Sequence, residues 1–220
     1  MPRQERAVRT RALLLRSAAE CIKEHGYDGS STTDVLRRAG VTRGALYFHF
    51  PSKEALADAI VEYQMPLLRP LPGDCSLQSA IDLTLSYARM LQKDVVLQAA
   101  VRLATEETSY QPGTRPYLWS QQSVADLLHQ ARNKGELLPH TDPDEIAVLI
   151  VGAFTGIQLL SQLSCGRSDL LFRVCVLWRA LLPGIAAPGL LLRLRTDEKR
   201  AEELEEADAA PEDRLLHDVG

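Results

Sequence analysis

Thr33-Asp34-Val35-Leu36-Arg37-Arg38-Ala39-Gly40-Val41-Thr42-Arg43-Gly44-Ala45-Leu46-Tyr47-Phe48-His49-Phe50-Pro51-Ser52-Lys53-Glu54 is the stretch on which the fold turns. Gly40 stands where a helix can end in a left-handed residue, and Val41 is the apolar residue that such an end often buries. A short helix is therefore expected over about 33–39. Turn and cap chemistry precedes it at 28–32, where Gly29 is followed by three hydroxyl residues. Thr42 is placed to cap a second short helix over about 43–48. Two short helices joined by a tight glycine turn and set on a longer preceding helix outline a helix-turn-helix.

Outward from this block the pattern stays helical. Residues 5–25 place Val8, Leu15 and Ile22 seven apart, with Ala12, Ala18 and Ala19 on the same side, and Gly26 stops the run. Cys21 and His25, four apart on that helix, read either as a thiol–imidazole pair or as a packed cysteine beside a helix-terminal histidine. Downstream, Ser52 can cap a helix running to Gln64, and Pro66, Pro70, Pro72 and Gly73 then form a hinge-like connection. Further helices are expected near 76–92, 94–108, 117–133, 142–164 and 168–182. At 142, Asp142 as cap, Pro143 in the first turn and Asp144-Glu145 beside it satisfy three helix-start preferences together. No stretch shows strand alternation, so the expected class is all-α: an N-terminal three-helix head and a C-terminal helical bundle. The expected division is 1–53 for the head, 54–195 for the bundle and 196–220 for an acidic, flexible tail, which from about Thr196 reads either as a solvated helix or as disordered.

The 220 residues carry a net charge of −4, which by itself argues against a phosphate-binding chain. The distribution argues the opposite. Residues 1–53 hold ten Lys or Arg against five Asp or Glu, 54–196 hold twelve against fourteen, and 197–220 hold three against ten. A basic head with an acidic tail suggests a nucleic-acid partner. The four cysteines lack paired spacing and are expected reduced, and the five histidines form no zinc-ligand cluster, so neither a metal nor a cofactor is expected. No apolar run is read as reaching the roughly 18–20 residues of a membrane span, and the charged start is unlike a secretory signal, so a cytoplasmic protein is expected. A hydrolase would need a nucleophile, base and orienting acid, and neither a serine-centred elbow nor a two-histidine metal motif is found.

The block from Gly40-Val41-Thr42 through Tyr47-Phe48-His49-Phe50 to Lys53-Glu54 resembles the DNA-binding core of the TetR family of repressors. The resemblance implies that the second helix of the motif enters the major groove of double-stranded DNA, which places Thr42, Arg43, Gly44 and Tyr47 at the DNA. Arg43 has the planar fork that pairs with guanine O6 and N7, although the family usually carries lysine there. Thr33, Tyr47, His49 and Lys53 are implied at sugar-phosphate contacts, and Gly44 lets the backbone approach a phosphate. Arg3, Arg6 and Arg9 read either as an N-terminal arm on DNA or as solvated charges. Phe48 and Phe50 are expected as core, filling the junction between the short helices.

Arg102-Leu103-Ala104-Thr105-Glu106, Trp119, Phe154-Thr155-Gly156-Ile157-Gln158-Leu159, Trp178-Arg179 and Leu182-Pro183 are similar to the γ-butyrolactone autoregulator receptors of Streptomyces and related actinomycetes. This likeness covers about residues 4–192. It implies a homodimeric repressor of secondary-metabolism (antibiotic biosynthesis) genes that leaves a palindromic operator on binding a γ-butyrolactone-type signal. Trp119, Thr155, Gln158 and Gln64 are implied at the ligand, with Phe154 in the wall. Three of them have a plainer reading: Trp119 as core, Gln64 as an exposed helix end, Thr155 bonded to its own helix. Gly152, Ala153 and Gly156 suit close helix approach, and the resemblance puts Trp178 with Leu170, Leu171, Val174 and Leu177 in a four-helix dimer interface. The alternatives are a pseudo-receptor for an antibiotic or pathway intermediate and, in other classes, a helical lactone hydrolase or a DNA-free carrier.

Overall fold

A computed structural model of the chain describes residues 3–70, 73–106 and 109–209. The described residues form ten α-helices and one short 3-10 turn: α1 (Arg3–Gly29), α2 (Thr32–Ala39), α3 (Arg43–His49), α4 (Lys53–Tyr63), α5 (Ser76–Lys93), α6 (Val95–Thr105), α7 (Arg115–Asn133), α8 (Pro143–Cys165), α9 (Leu170–Ile185) and α10 (Glu198–Ala209), the turn being Met65–Leu67. The all-α class holds, and no strand occurs among the described residues; the nearest approach is an isolated bridge between Leu137 and Ala186. The chain divides into two compact units, one of residues up to Leu67 with Lys93–Leu118, the other of Leu68–Gln92 with the remainder from Trp119.

In the first unit, α1 kinks at Gly26, whose φ of 72° only glycine adopts without strain. Ser31 caps α2 through a bond from the Asp34 N–H, Thr42 caps α3 from Ala45, and Ser52 caps α4 from Ala55. Gly40 ends α2 at φ 64°, its N–H bonded to the Leu36 carbonyl, so the turn between α2 and α3 has the expected chemistry. Leu14, Ala18 and Ile22 of α1, Val35 of α2, Leu46 and Phe50 at α3, and Leu56 and Ile60 of α4 close one core. Helix α6 belongs to this core through Ala99, Ala100 and Leu103. Its Arg102 guanidinium donates to the Ile22 and Lys23 carbonyls at 3.0 and 2.6 Å and pairs with Glu106, satisfying the last acceptors of α1 before the kink. The expected head of 1–53 is thus extended by α4 and by a returning segment, and the chain leaves it at the proline-rich connection.

In the second unit, Glu136 accepts from the Ser76 and Leu77 N–H groups and caps α5, while Asp142 accepts from Asp144 and Glu145 at the start of α8. Trp178 of α9 is fully buried and donates its indole N–H to the Thr84 hydroxyl of α5 at 2.7 Å. Residues 198–209 are not a flexible tail: α10 buries Ala201 and Leu204. Its charges have partners, Arg200 on the buried carboxylate of Asp82 at 2.6 and 3.0 Å, Glu203 on Arg195 and Glu205 on Arg89. Residues 210–220, the rest of the expected tail, lie outside the described residues, as does the side chain of Arg3.

Helix α8 corrects a second expectation, since Pro143–Cys165 is long and apolar enough to span a bilayer, with a mean hydropathy of 1.9 in its most apolar stretch. Within the chain it buries Ala147, Ile150, Gln158 and Ser161 on one side and leaves Val148, Leu149, Leu159, Leu160 and Leu163 exposed on the other.

Arg102→Ala removes a charged donor from two carbonyls at the end of α1 and should lower unfolding stability by about 2 kcal/mol, read as a lower urea midpoint at unchanged m-value. A midpoint shift equivalent to less than about 0.5 kcal/mol would show that the contact holds nothing together.

Candidate DNA-binding and ligand-binding sites

The first unit turns a coherent set of side chains outward. Thr42, Arg43 and Gly44 are exposed at the start of α3, Tyr47 is 39% exposed one turn on, and the Arg43 guanidinium lies 5.5 Å from the centre of the Tyr47 ring. Thr33 is exposed in the first turn of α2, and His49, at the end of α3, is half-buried. Lys53 opens α4 with its ammonium 4.1 Å from the ring centre of the buried Tyr27. That cation–π contact, not predicted from the sequence, holds the lysine beside the motif.

Much of the basic excess of the head is internally neutralised. Arg38 makes two bonds to Glu24, at 2.9 and 2.7 Å, and Arg37 bonds Asp34. The Arg38 bond holds the Glu24 carboxyl below its ordinary range. Arg16 pairs with Glu20 and Arg9 with Glu5. Among the described residues no carboxylate lies within 4 Å of the Arg43 or Lys53 cations, so positive charge is left where α3 and α4 present it. Cys21 is buried and its thiol pushed up by desolvation, whereas His25 is exposed and nearest Glu24, which is the packed-cysteine reading of that pair.

One expectation fails here. Phe50 is core, but Phe48 is 80% exposed. Leu46 and Phe50, four apart, take the inward face of α3, and Phe48, midway between them in sequence, is directed away from it. Aromatic residue type does not reveal this, but the helical register does.

The second unit holds four of the five residues assigned to the ligand. Trp119 is 46% exposed, so it is not a core tryptophan. Thr155 donates its hydroxyl to the Val151 carbonyl at 2.8 Å, the plainer of its two readings. Phe154 is half-buried and meets the buried Tyr87 ring edge-on, with centroids 5.7 Å apart. Gln158, one turn further along α8, is buried, and its amide oxygen accepts two bonds from Arg167 at 3.3 and 3.0 Å. Gln64 lies in the first unit, at the end of α4, and is buried, so the exposed-end reading is excluded for it.

Arg167 is the residue that sequence reasoning missed. It follows the glycine that ends α8 and adopts φ 70°, the one left-handed non-glycine backbone among the described residues. Its guanidinium is buried, its partners are the neutral amides of Gln158 and Gln162, and burial pushes its pKa down. Asp169, two residues on, is engaged elsewhere: bonds from Ser161, Cys165 and Arg173 hold its carboxyl down at about 2. The Cys165-Gly166-Arg167 run reads in sequence only as a short connection, because the burial of an arginine after a helix cap depends on tertiary packing.

The expected dimer stripe is also misplaced. Leu170, Leu171, Val174 and Trp178 are buried within the chain, Trp178 completely, and Leu177 is half-buried. The apolar residues left outward are Phe172 and Val176 on α9 with the outer row of α8, of which Leu163 is 75% exposed. Period alone identifies an apolar helix but does not say which of two apolar faces is inward.

Residues 14–60 match the model of the bacterial regulatory proteins of the tetR family, and residues 74–187 match a tetracyclin repressor-like C-terminal domain. The chain is 37% identical over 197 residues to the A-factor receptor protein of Streptomyces griseus, covering 90% of this chain and 71% of that protein. A TetR regulator from Streptomyces fradiae superposes with a TM-score of 0.82 at 37% identity, covering 91% of this chain and 98% of its own. CprB of Streptomyces coelicolor, in complex with its operator sequence, superposes with a TM-score of 0.74 at 30% identity, covering 91% of this chain and 98% of its own. Matched in both halves and along nearly its whole length, the chain belongs to the TetR family of DNA-binding transcriptional regulators and is not an enzyme.

Proposed function

We propose that the protein is a homodimeric, cytoplasmic repressor that holds a palindromic operator at secondary-metabolism genes, including antibiotic biosynthesis genes, and leaves it on binding a γ-butyrolactone-type signal. Similarity to the A-factor receptor protein supports the regulatory class. The observation that carries the ligand reading is the interior cluster of the second unit. There Phe154 and Tyr87 supply an aromatic wall, and Gln158 and Arg167 supply fixed polar groups one helical turn away. Apolar walls with a few convergent polar groups are what a small acylated lactone requires, the polar groups setting its orientation. Trp119, half-exposed in the same unit, offers an indole to cover a ring. Thr155 and Phe154 stay in the proposed ligand set, as do Thr33, Thr42, Arg43, Gly44, Tyr47, His49 and Lys53 in the DNA set.

Arg167 favours a second reading of the ligand. A buried cation whose partners are neutral amides suits a carboxylate better than a neutral lactone carbonyl, because a charged partner strengthens the hydrogen bonds. A pathway intermediate bearing an acid, as for a pseudo-receptor, would meet that requirement. The lactone and its ring-opened hydroxy acid separate the two readings in direct binding.

Two-fold assembly is supported by the outward apolar row of α8. Around Gly152 and Gly156 an added Cβ would meet nothing within 4 Å, leaving room for a second helix at close approach. A symmetric pair of recognition helices then requires a symmetric operator.

Trp119→Ala should leave operator binding within about twofold of wild type while lactone no longer releases the DNA in a gel shift; release at the wild-type lactone concentration would reduce Trp119 to packing. Leu163→Glu puts a charge on the proposed interface and should convert the dimer to monomer in light scattering, with operator affinity falling at least about tenfold, since about 1.4 kcal/mol of lost interaction is a factor of ten. An unchanged dimer mass would place the interface elsewhere.

A further inference from the structure

Helix α3 has seven residues and is therefore about 10 Å long, short enough for its whole outward face to fit a major groove about 12 Å wide. Leu46 is buried and defines the inward direction. At about 100° per residue, Gly44 and Phe48 lie about 160° to either side of Leu46, so both sit near the line opposite it. They are four apart and stacked one above the other on that line. Arg43 and Tyr47, joined by their cation–π contact, form one flank.

Gly44 presents no side chain, and a Cβ built there would meet nothing within 4 Å. Phe48 is thus the one bulky group on the centre line of the outward face, and it is 80% exposed. The His49 ring meets it edge-on, with centroids 5.0 Å apart and planes at 80°, which limits the swing of the phenyl. Nothing in the core of the unit uses Phe48, because Leu46 and Phe50 fill that role.

We infer that Phe48 reads bases directly, by packing its ring on the C5-methyl group of thymine in the major groove. The inference rests on the operator-binding reading above. A phenyl ring has no hydrogen-bond donor or acceptor for base edges. On the groove floor the thymine methyl is the one apolar group, whereas guanine O6 and N7 or cytosine N4 covered by the ring would lose water without gaining a partner. Phe48 therefore selects T·A at one position of each half-site and disfavours G·C there. Arg43, on the flank, is left to read an adjacent base pair, and Tyr47 and His49 to hold the sugar-phosphate walls.

The test uses the full chain. Duplexes are selected from a random library, and each thymine of the selected site is then replaced singly by deoxyuridine, which removes the C5-methyl and nothing else. Burial of one methyl predicts a loss of about fourfold at one thymine per half-site, and about sixteenfold when both half-sites are changed. Phe48→Ala, an exposed substitution whose folding is checked by thermal melting, should bind the thymine and uracil duplexes equally. The inference is overturned if no thymine is sensitive to uracil, or if Phe48→Ala keeps the same penalty. A chain that selects no duplex at all would overturn the operator reading and this inference together.

Discussion

Burial of Leu46 is the contact on which the working surface of the head depends. A seven-residue helix has too few internal hydrogen bonds to persist alone, so tertiary packing and caps must hold it. Leu46 and Phe50 supply the packing, Thr42 the cap, and the left-handed Gly40 the direction of entry. Once Leu46 is inward, Gly44 and Phe48 fall opposite it, and Arg43 and Tyr47 fall along one flank. The remainder of the first unit supports that register. Arg102 ties α6 to the end of α1, Lys53 stands over Tyr27, and Arg38 joins α2 to α1 through Glu24.

In the second unit a comparable role falls to α8, which has one face packed inward and an outer apolar row. Its inner residues meet Tyr87, Arg167 and Asp169 through Phe154, Gln158 and Ser161, and its outer row of leucines is left without a cover among the described residues. A ligand engaging the inner face and a second subunit engaging the outer face would therefore act on one rigid element. Coupling between sites requires a ligand that favours one arrangement of such an element over another. The strained backbone and buried charge of Arg167 sit at the end of this same helix, where a fixed polar group costs free energy that packing alone does not explain.

The order of helices was legible in the sequence wherever local chemistry fixes it. Gly40, Thr42, Ser52, Asp142 with Pro143, and Gly26 each act within a few residues of themselves, and each stands where the caps and stops were read. What local chemistry does not fix was misread. Phe48 and Phe50 are the same residue type two positions apart, and only the register set by Leu46 separates surface from core. Trp178 was placed at a subunit interface by the family resemblance, yet its N–H reaches Thr84 inside the chain. The acidic tail was read as flexible because the bases that answer it, Arg89 and Arg195, and the acid that answers Arg200, Asp82, are distant or unremarkable in sequence. The residues proposed to face DNA sit in one contiguous motif, which is why a sequence can point to them. The residues proposed at the ligand in the second unit are scattered over α7 and α8, and neither the buried Arg167 nor the burial of Gln64 at the end of α4 can be read from spacing.

Occupancy of the helical bundle by a lactone signal is proposed to remove the protein from its operator. This release is tested most directly by fluorescence anisotropy of a labelled palindromic duplex selected by the protein, titrated with an acylated γ-butyrolactone while ligand uptake is followed by calorimetry on the same preparation. The DNA is expected to be released completely, in step with saturation of one ligand per subunit. Ligand uptake that saturates while the duplex remains bound would contradict the proposal.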